Sequence, residues 1–187
     1  MARLVLGLDV STSVTGVCFL DADTEPDDKG SHIVHLDKID FKKCKDFWSK
    51  ADLVQNTFND YYGRLSLVPN VVAVEEPLMG FQKGMSSAAT ITTLMRFNGI
   101  VSYIARNQFS IDPDYVSASH ARKLCGIKMQ RNVVAGMSGK EQVFKHMSEN
   151  DLKHIVWPKK KNGKEIDASR DMCDAYVIAR AACIMNK

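Results

Sequence analysis

Four carboxylates stand where carboxylates are expensive. Asp9 lies in the apolar run LVLGLDV at 4–10, and Glu75 and Glu76 end the run VVAVEE at 71–76. A carboxylate on a buried strand is costly unless it is paired or holds a cation. Strand side chains alternate, so only one of Glu75 and Glu76 can face the way Asp9 faces. Asp171 and Asp174 are three apart, hence neighbours on a helical face that continues through Ala175, Ile178 and Ala182. Those two acids therefore lie on the core side of an amphipathic helix. A helix dipole offers each of them under about 1 kcal/mol, too little to offset two desolvated, repelling charges. A positive group is expected between them. Singly, each acid has a plainer account: a turn cap, a strand end in solvent, or ordinary charge enrichment at a helix start. Together they form an oxygen-only cluster suited to Mg²⁺, with Mn²⁺ as a substitute. Two such ions about 3.5–4 Å apart can drive phosphodiester hydrolysis. No Ser/His/Asp or Cys/His nucleophile arrangement competes.

Cations accompany the acids. Ser138-Gly139-Lys140-Glu141 fits the capping box that opens a helix. Lys140 then sits in a first turn, where the dipole disfavours it. A place beside a phosphate would account for it, and so would simple exposure. Lys83, Arg122, Lys123, Lys128, Arg131 and the 159–164 loop could contact phosphates, which would make binding salt-dependent. The lysine run also reads as a solvated loop.

The elements that must position these residues follow from periodicity. Leu4–Val10 reads as a buried central strand, Val14–Leu20 as its hairpin partner, and His32–Ile39 as a more exposed third strand. Phe47, Ala51, Val54, Phe58 and Tyr61 or Tyr62 make one face of a helix over 46–65. A fourth strand covers 71–75. A long helix over 85–106 is apolar almost all the way round, which predicts more than one buried face. A short strand at 115–117 precedes a short helix capped by Ser119. The capping box opens another helix, and Asp167 or Ser169 caps a last one ending near Met185. This order predicts an α/β chain of one domain over 1–187, with a mixed five-stranded sheet flanked by helices.

Composition sets bounds. The chain has 187 residues and a formal net charge of +3, so any basic footprint must be local. Five scattered cysteines, with no CxxC pair, read as reduced thiols in a cytosol-like compartment. The histidines have no metal-binding spacing. The apolar N-terminal run is too short for a signal sequence or a span. A cytoplasmic protein with no membrane association is expected.

The residues resemble a known family. GLDVSTSVTGVCFL is similar to the first hairpin of the RuvC Holliday-junction resolvases, within the RNase H-like superfamily. VVAVEEPLMGF resembles their second acidic strand, MRFNGIVSYIA the helix after it, SHARKLCG and SGKEQVFKHM their basic stretch, and DASRDMCDAYVIARA their closing acid pair. The matches run in order from Leu4 to Ala182, and roughly residues 21–65 lack a distinctive one. The resemblance implies metal binding by Asp9, Glu75, Asp171 and Asp174. It implies a catalytic basic residue at Lys140 that also meets DNA, and a second basic residue at Lys123. It further implies two Mg²⁺ ions per site, a homodimer on a four-way junction, and paired symmetric nicks leaving 5′-phosphate and 3′-hydroxyl ends. The family's Pro-Gly after the first acid is Val10-Ser11 here. Its aromatic after the second acid is Leu78, with Phe81 close by as a DNA contact. These departures fit a divergent branch, such as a phage or viral enzyme.

Other classes remain. The acids read phosphate chemistry, not branch shape, so flaps, bulges and RNA–DNA hybrids are alternative substrates. The Asp-x-Ser-Thr start is shared with sugar-kinase and actin-like ATPases, but those need a duplicated domain. A non-catalytic DNA-binding protein would not need the full acid set.

Overall fold

The computed structural model describes residues 3–77 and 88–186. Five strands form one mixed sheet in the order β3-β2-β1-β4-β5. Strand β1 (Leu4–Asp9) is central, with β2 (Val14–Asp21) antiparallel on one side and β4 (Val71–Glu75) parallel on the other. β3 (Ile33–Asp40) and β5 (Asp114–Val116) are the edges. The expected mixed five-stranded sheet is present. The register puts the C-terminal ends of β1, β3 and β4 and the start of β2 at one edge of the sheet, with Asp9 opposite Gly16 and Val14 opposite Asp40.

Two cores cover the two faces. On one, Leu6, Leu8, Val72 and Val74 pack against α1 (Phe47–Gly63) and α2 (Ala88–Phe109). On the other, Val5 and Ala73 meet α6 (Ala168–Met185) together with α3 (Ala118–Leu124) and α5 (Gly139–Glu149). Strand alternation then sends Asp9 and Glu75 to the α6 face, and leaves Glu76 on the opposite side.

Helix α6 lies unusually close to the sheet, and two glycines allow it. A Cβ on Gly7 would stand 2.5 Å from the Ala175 carbonyl oxygen, and one on Gly16 would stand 2.0 Å from that of Asp171. The obstacles are helix backbone, which cannot step aside as a side chain could. Gly16→Ala should therefore cost about 2–3 kcal/mol, as overpacking does. Denaturant midpoints would read this, and an unshifted midpoint would count against the close approach.

Several boundaries differ from the sequence expectations. Ser117, not Ser119, caps α3, its Oγ accepting the His120 N–H. Asp167 precedes α6 but makes no side-chain cap; its carboxylate pairs with Lys160 instead. A one-turn helix α4 (Asn132–Ala135) was not expected. Helix α2 buries a single face, including Phe97, Val101, Ala105 and Phe109, and leaves Met95 and Tyr103 exposed. Positions 85–87 of its expected span lie outside the described residues. The capping box at Ser138 and Glu141 forms as expected, as does the α1 face, with Tyr61 buried and Tyr62 exposed. Among the described residues no helix is long and apolar enough to cross a membrane.

Candidate active site

The acids meet at the sheet edge where β1 and β4 end. Asp9 arrives on β1, Glu75 on β4, and Asp171 and Asp174 on the first turns of α6. Asp9 and Asp174 are 6% and 5% exposed, so both carboxylates are largely removed from water. The positive group expected between them is Lys140, from the first turn of α5. Its Nζ stands 2.7 Å from Asp171 Oδ1, 3.2 Å from Asp9 Oδ2 and 3.3 Å from Asp174 Oδ2. Three acids distant in sequence thus converge on one ammonium, and the dipole cost at Lys140 is outweighed by three close carboxylates.

One ammonium does not balance the cluster. Burial is the main force pushing the Glu75 carboxyl up, to about 8, with the Asp9 and Asp174 charges adding to it. Burial likewise raises Asp174 to about 6, with Asp9 next in effect and Lys140 opposing. Asp9 is also raised, again chiefly by burial, against the pull of Lys140. The Asp9 side chain beside Glu75 further favours the protonated Glu75 carboxyl. Lys140 is held firmly protonated by Asp9, Asp174 and Asp171, which together overcome its desolvation.

Supporting groups hold the acids in place. Asn98 of α2, buried in a largely apolar face, donates from Nδ2 to the Glu75 carbonyl oxygen at 3.0 Å. Ser11 Oγ closes the β1–β2 turn by donating to the Val14 carbonyl oxygen at 2.7 Å and accepting the Val14 N–H at 3.1 Å. Sequence reasoning missed Gly7, Gly16 and Asn98. The available signal was an Asn in an otherwise apolar stretch of helix, and a glycine on each strand of a buried hairpin.

Three of the other basic residues share one surface. Arg122 is close enough to Asp174 for its charge to lower that carboxyl. Arg122, Lys123 and Lys128 line one groove with Gly126 and Ile127, and Arg131 is exposed at the start of α4. In the 159–164 loop, Lys160 is engaged by Asp167. Phe81 and Lys83 lie outside the described residues, as does Leu78.

Among the described residues, no three carboxylate, thiol or imidazole groups surround a point where a metal ion would sit as they stand. The donor chemistry nevertheless fits a hard dication, because every donor is a carboxylate oxygen. Asp174 Oδ2 is buried and has the Lys140 ammonium at 3.3 Å as an ion-pair partner, with no hydrogen bond to any other group. It is an oxygen with coordination to spare.

The sequence matches no family model and no curated protein. The fold does match solved structures. Thermus thermophilus RuvC in complex with a Holliday junction substrate superposes with a TM-score of 0.65 at 13% identity, over 98% of this chain and 94% of that one. A second Thermus thermophilus RuvC structure gives 0.58 at 16% identity, over 98% and 95%. The yeast mitochondrial Holliday junction resolvase gives 0.53 at 17% identity, over 99% and 81%. This chain has the RuvC fold of the RNase H-like class.

Proposed function

We propose that this chain is a divalent-cation-dependent endonuclease that resolves four-way DNA junctions. It acts as a homodimer, placing paired symmetric nicks that leave 5′-phosphate and 3′-hydroxyl ends. The observation that carries the hydrolytic part is the convergence of Asp9, Glu75, Asp171 and Asp174 around the Lys140 ammonium. The likeness of fold to proteins that handle Holliday junctions favours the branched substrate.

Asp9, Glu75, Asp171 and Asp174 would hold two Mg²⁺ ions. When bound, Mg²⁺ supplies Lewis acidity to activate water and to stabilise the leaving oxygen. The residues do the rest. Glu75, raised by burial, would serve as a ligand in its ionised form. Lys140 offsets the repulsion among Asp9, Asp171 and Asp174, and its side chain is half exposed, within reach of a phosphate arriving beside the acids. Arg122, Lys123, Lys128 and Arg131 bind backbone phosphates beside the acids, which steers register without reading sequence. The exposed Met95 and Tyr103 on α2 offer a second copy an apolar contact.

The test is cleavage of matched four-way junctions, flaps, bulges and RNA–DNA hybrids across a Mg²⁺ titration. Junctions should be cut fastest, with two nicks related by symmetry. Fastest cleavage of hybrids would refute the resolvase reading and leave a nuclease of another target. Binding without any cutting would favour a DNA-binding protein on the same fold.

A further inference from the structure

We infer that the turn from Lys42 to Trp48 is a second nucleic-acid contact, on the flank of the acid site opposite Arg122, Lys123 and Lys128. This rests on the nuclease reading above. The turn belongs to the 21–65 stretch for which the sequence offered no role.

Its position comes first. β3 ends at Asp40 opposite Val14, so the chain leaves the sheet at the same edge where β1 ends in Asp9. The Phe41 N–H donates to the Ser13 carbonyl oxygen at 3.1 Å, and Lys50 Nζ donates to the Thr12 carbonyl oxygen at 2.6 Å. Both bonds fasten the turn to the hairpin that follows Asp9. From the other side, the Phe41 and Phe47 rings pack on Phe97, with centroids 5.2 and 5.6 Å away. The next residue, Asn98, holds the Glu75 carbonyl. The turn is therefore fixed relative to two of the four acids, but on the α1 face of the sheet instead of the α6 face. A strand lying across the sheet edge with a phosphate at the acids would run onto it.

Its chemistry comes second. Lys42, Lys43 and Lys45 are exposed, and among the described residues none of them forms an ion pair. They line a groove of about 790 Å³ with Asp40, Asp46 and Asp52. Two of those carboxylates face backbone: Asp40 accepts the Lys42 N–H at 2.9 Å and Asp46 the Ser49 N–H at 2.8 Å. Beside the lysines Trp48 is 69% exposed, with Phe47 its one ring neighbour among the described residues. Free ammoniums next to an open indole match a polyanion that carries flat bases. Phosphates sit on the lysines, and a base that opens at the branch stacks on Trp48.

The experiment is equilibrium binding of a fluorescein-labelled four-way junction in EDTA, between about 50 and 200 mM salt. The triple variant Lys42→Gln, Lys43→Gln, Lys45→Gln should flatten the log–log salt slope by about two to three and weaken binding roughly tenfold. Trp48→Ala should weaken binding about tenfold with the slope unchanged, and Trp48→Phe should restore most of it. All these side chains are exposed, and matched thermal unfolding would show that the variants are folded. An unchanged slope and affinity overturns the inference, and is also the outcome if the patch instead receives an acidic protein. In that case wild-type cleavage with Mg²⁺ leaves the nuclease reading standing. A wild-type protein that neither binds nor cuts the junction overturns both.

Discussion

Asp174→Asn is expected to abolish strand cleavage, by roughly a thousandfold or more, while four-way junction binding stays within about threefold. A thousandfold is about 4 kcal/mol of barrier, within what loss of a cation's charge stabilisation removes. Asp174 is the sharpest choice among the four acids. Its carboxylate is almost fully buried, and its Oδ2 has no hydrogen bond to any group besides Lys140. Asp171 is more exposed, and its Oδ1 already takes the shortest of the Lys140 contacts. Asparagine keeps the shape of the site and removes one of several repelling charges, so folding should not suffer. Binding should persist because it depends on cations that approach phosphates, not on buried carboxylates. Single-turnover cleavage and junction binding, measured on one preparation, decide the matter. Cutting at the wild-type rate would remove Asp174 from the site.

The second large effect is a link between pH, cation and stability. Glu75 and Asp174 are raised in the folded protein, to about 8 and about 6, above ordinary values of 4.5 and 3.8. A raised carboxyl binds its proton more tightly folded than unfolded. Its contribution to stability is complete below the unfolded value and is lost as pH rises through the folded one. Without divalent cation, stability should therefore fall as pH climbs from about 4 to about 8. The loss is on the order of 3 kcal/mol, less than the separate shifts imply because the acids titrate as one cluster. Mg²⁺ should reverse it. At a hundredfold excess over its dissociation constant a bound ion adds about 2.7 kcal/mol, or roughly 5–10 °C in Tm for a chain of this length. The Mg²⁺-induced rise should be larger at pH 8 than at pH 6, where protons compete for the same oxygens. Glu75→Gln isolates the effect, because glutamine is neutral throughout and should flatten the pH dependence. Equal Mg²⁺ shifts at both pH values, or none, would argue against cation binding by these acids. His32 works in the opposite direction. Its buried imidazole, hydrogen-bonded to Tyr176 at 2.9 Å, is lowered mainly by desolvation, so it costs stability as the solution becomes acidic. Comparing wild type with Glu75→Gln cancels that background.

Much of the fold was legible because burial repeats at short range. Short apolar runs marked β1 and β4, a hairpin signal marked β2, alternation marked β3, and the 3.6-residue period marked α1 and α6. The choice between Glu75 and Glu76 needed the β1–β4 register, in which Leu8 faces Val74, and that register is a tertiary fact. Caps were harder to read. Ser117 and Ser119 have equal chemistry, and backbone geometry alone decides which Oγ meets the first turn. Asp167 looked like a cap in sequence, but a lysine seven residues back takes its carboxylate.

For the site, the sequence by itself marked the candidate acids, with Glu75 and Glu76 still undivided. Carboxylates in apolar surroundings need a counter-charge, and that requirement can be read from residue type and period alone. It could not say where the counter-charge comes from. Lys140 lies 131 residues from Asp9, and only the packing of α5 against α6 brings its ammonium within 3.2 Å. Nor could sequence show why α6 comes near enough for Asp171 and Asp174 to join β1. That rests on Gly7 and Gly16, whose missing side chains let helix backbone touch the sheet. Residue chemistry is local and survives in a list of letters. Distance between remote residues is set by packing, and packing exists only once the chain has folded.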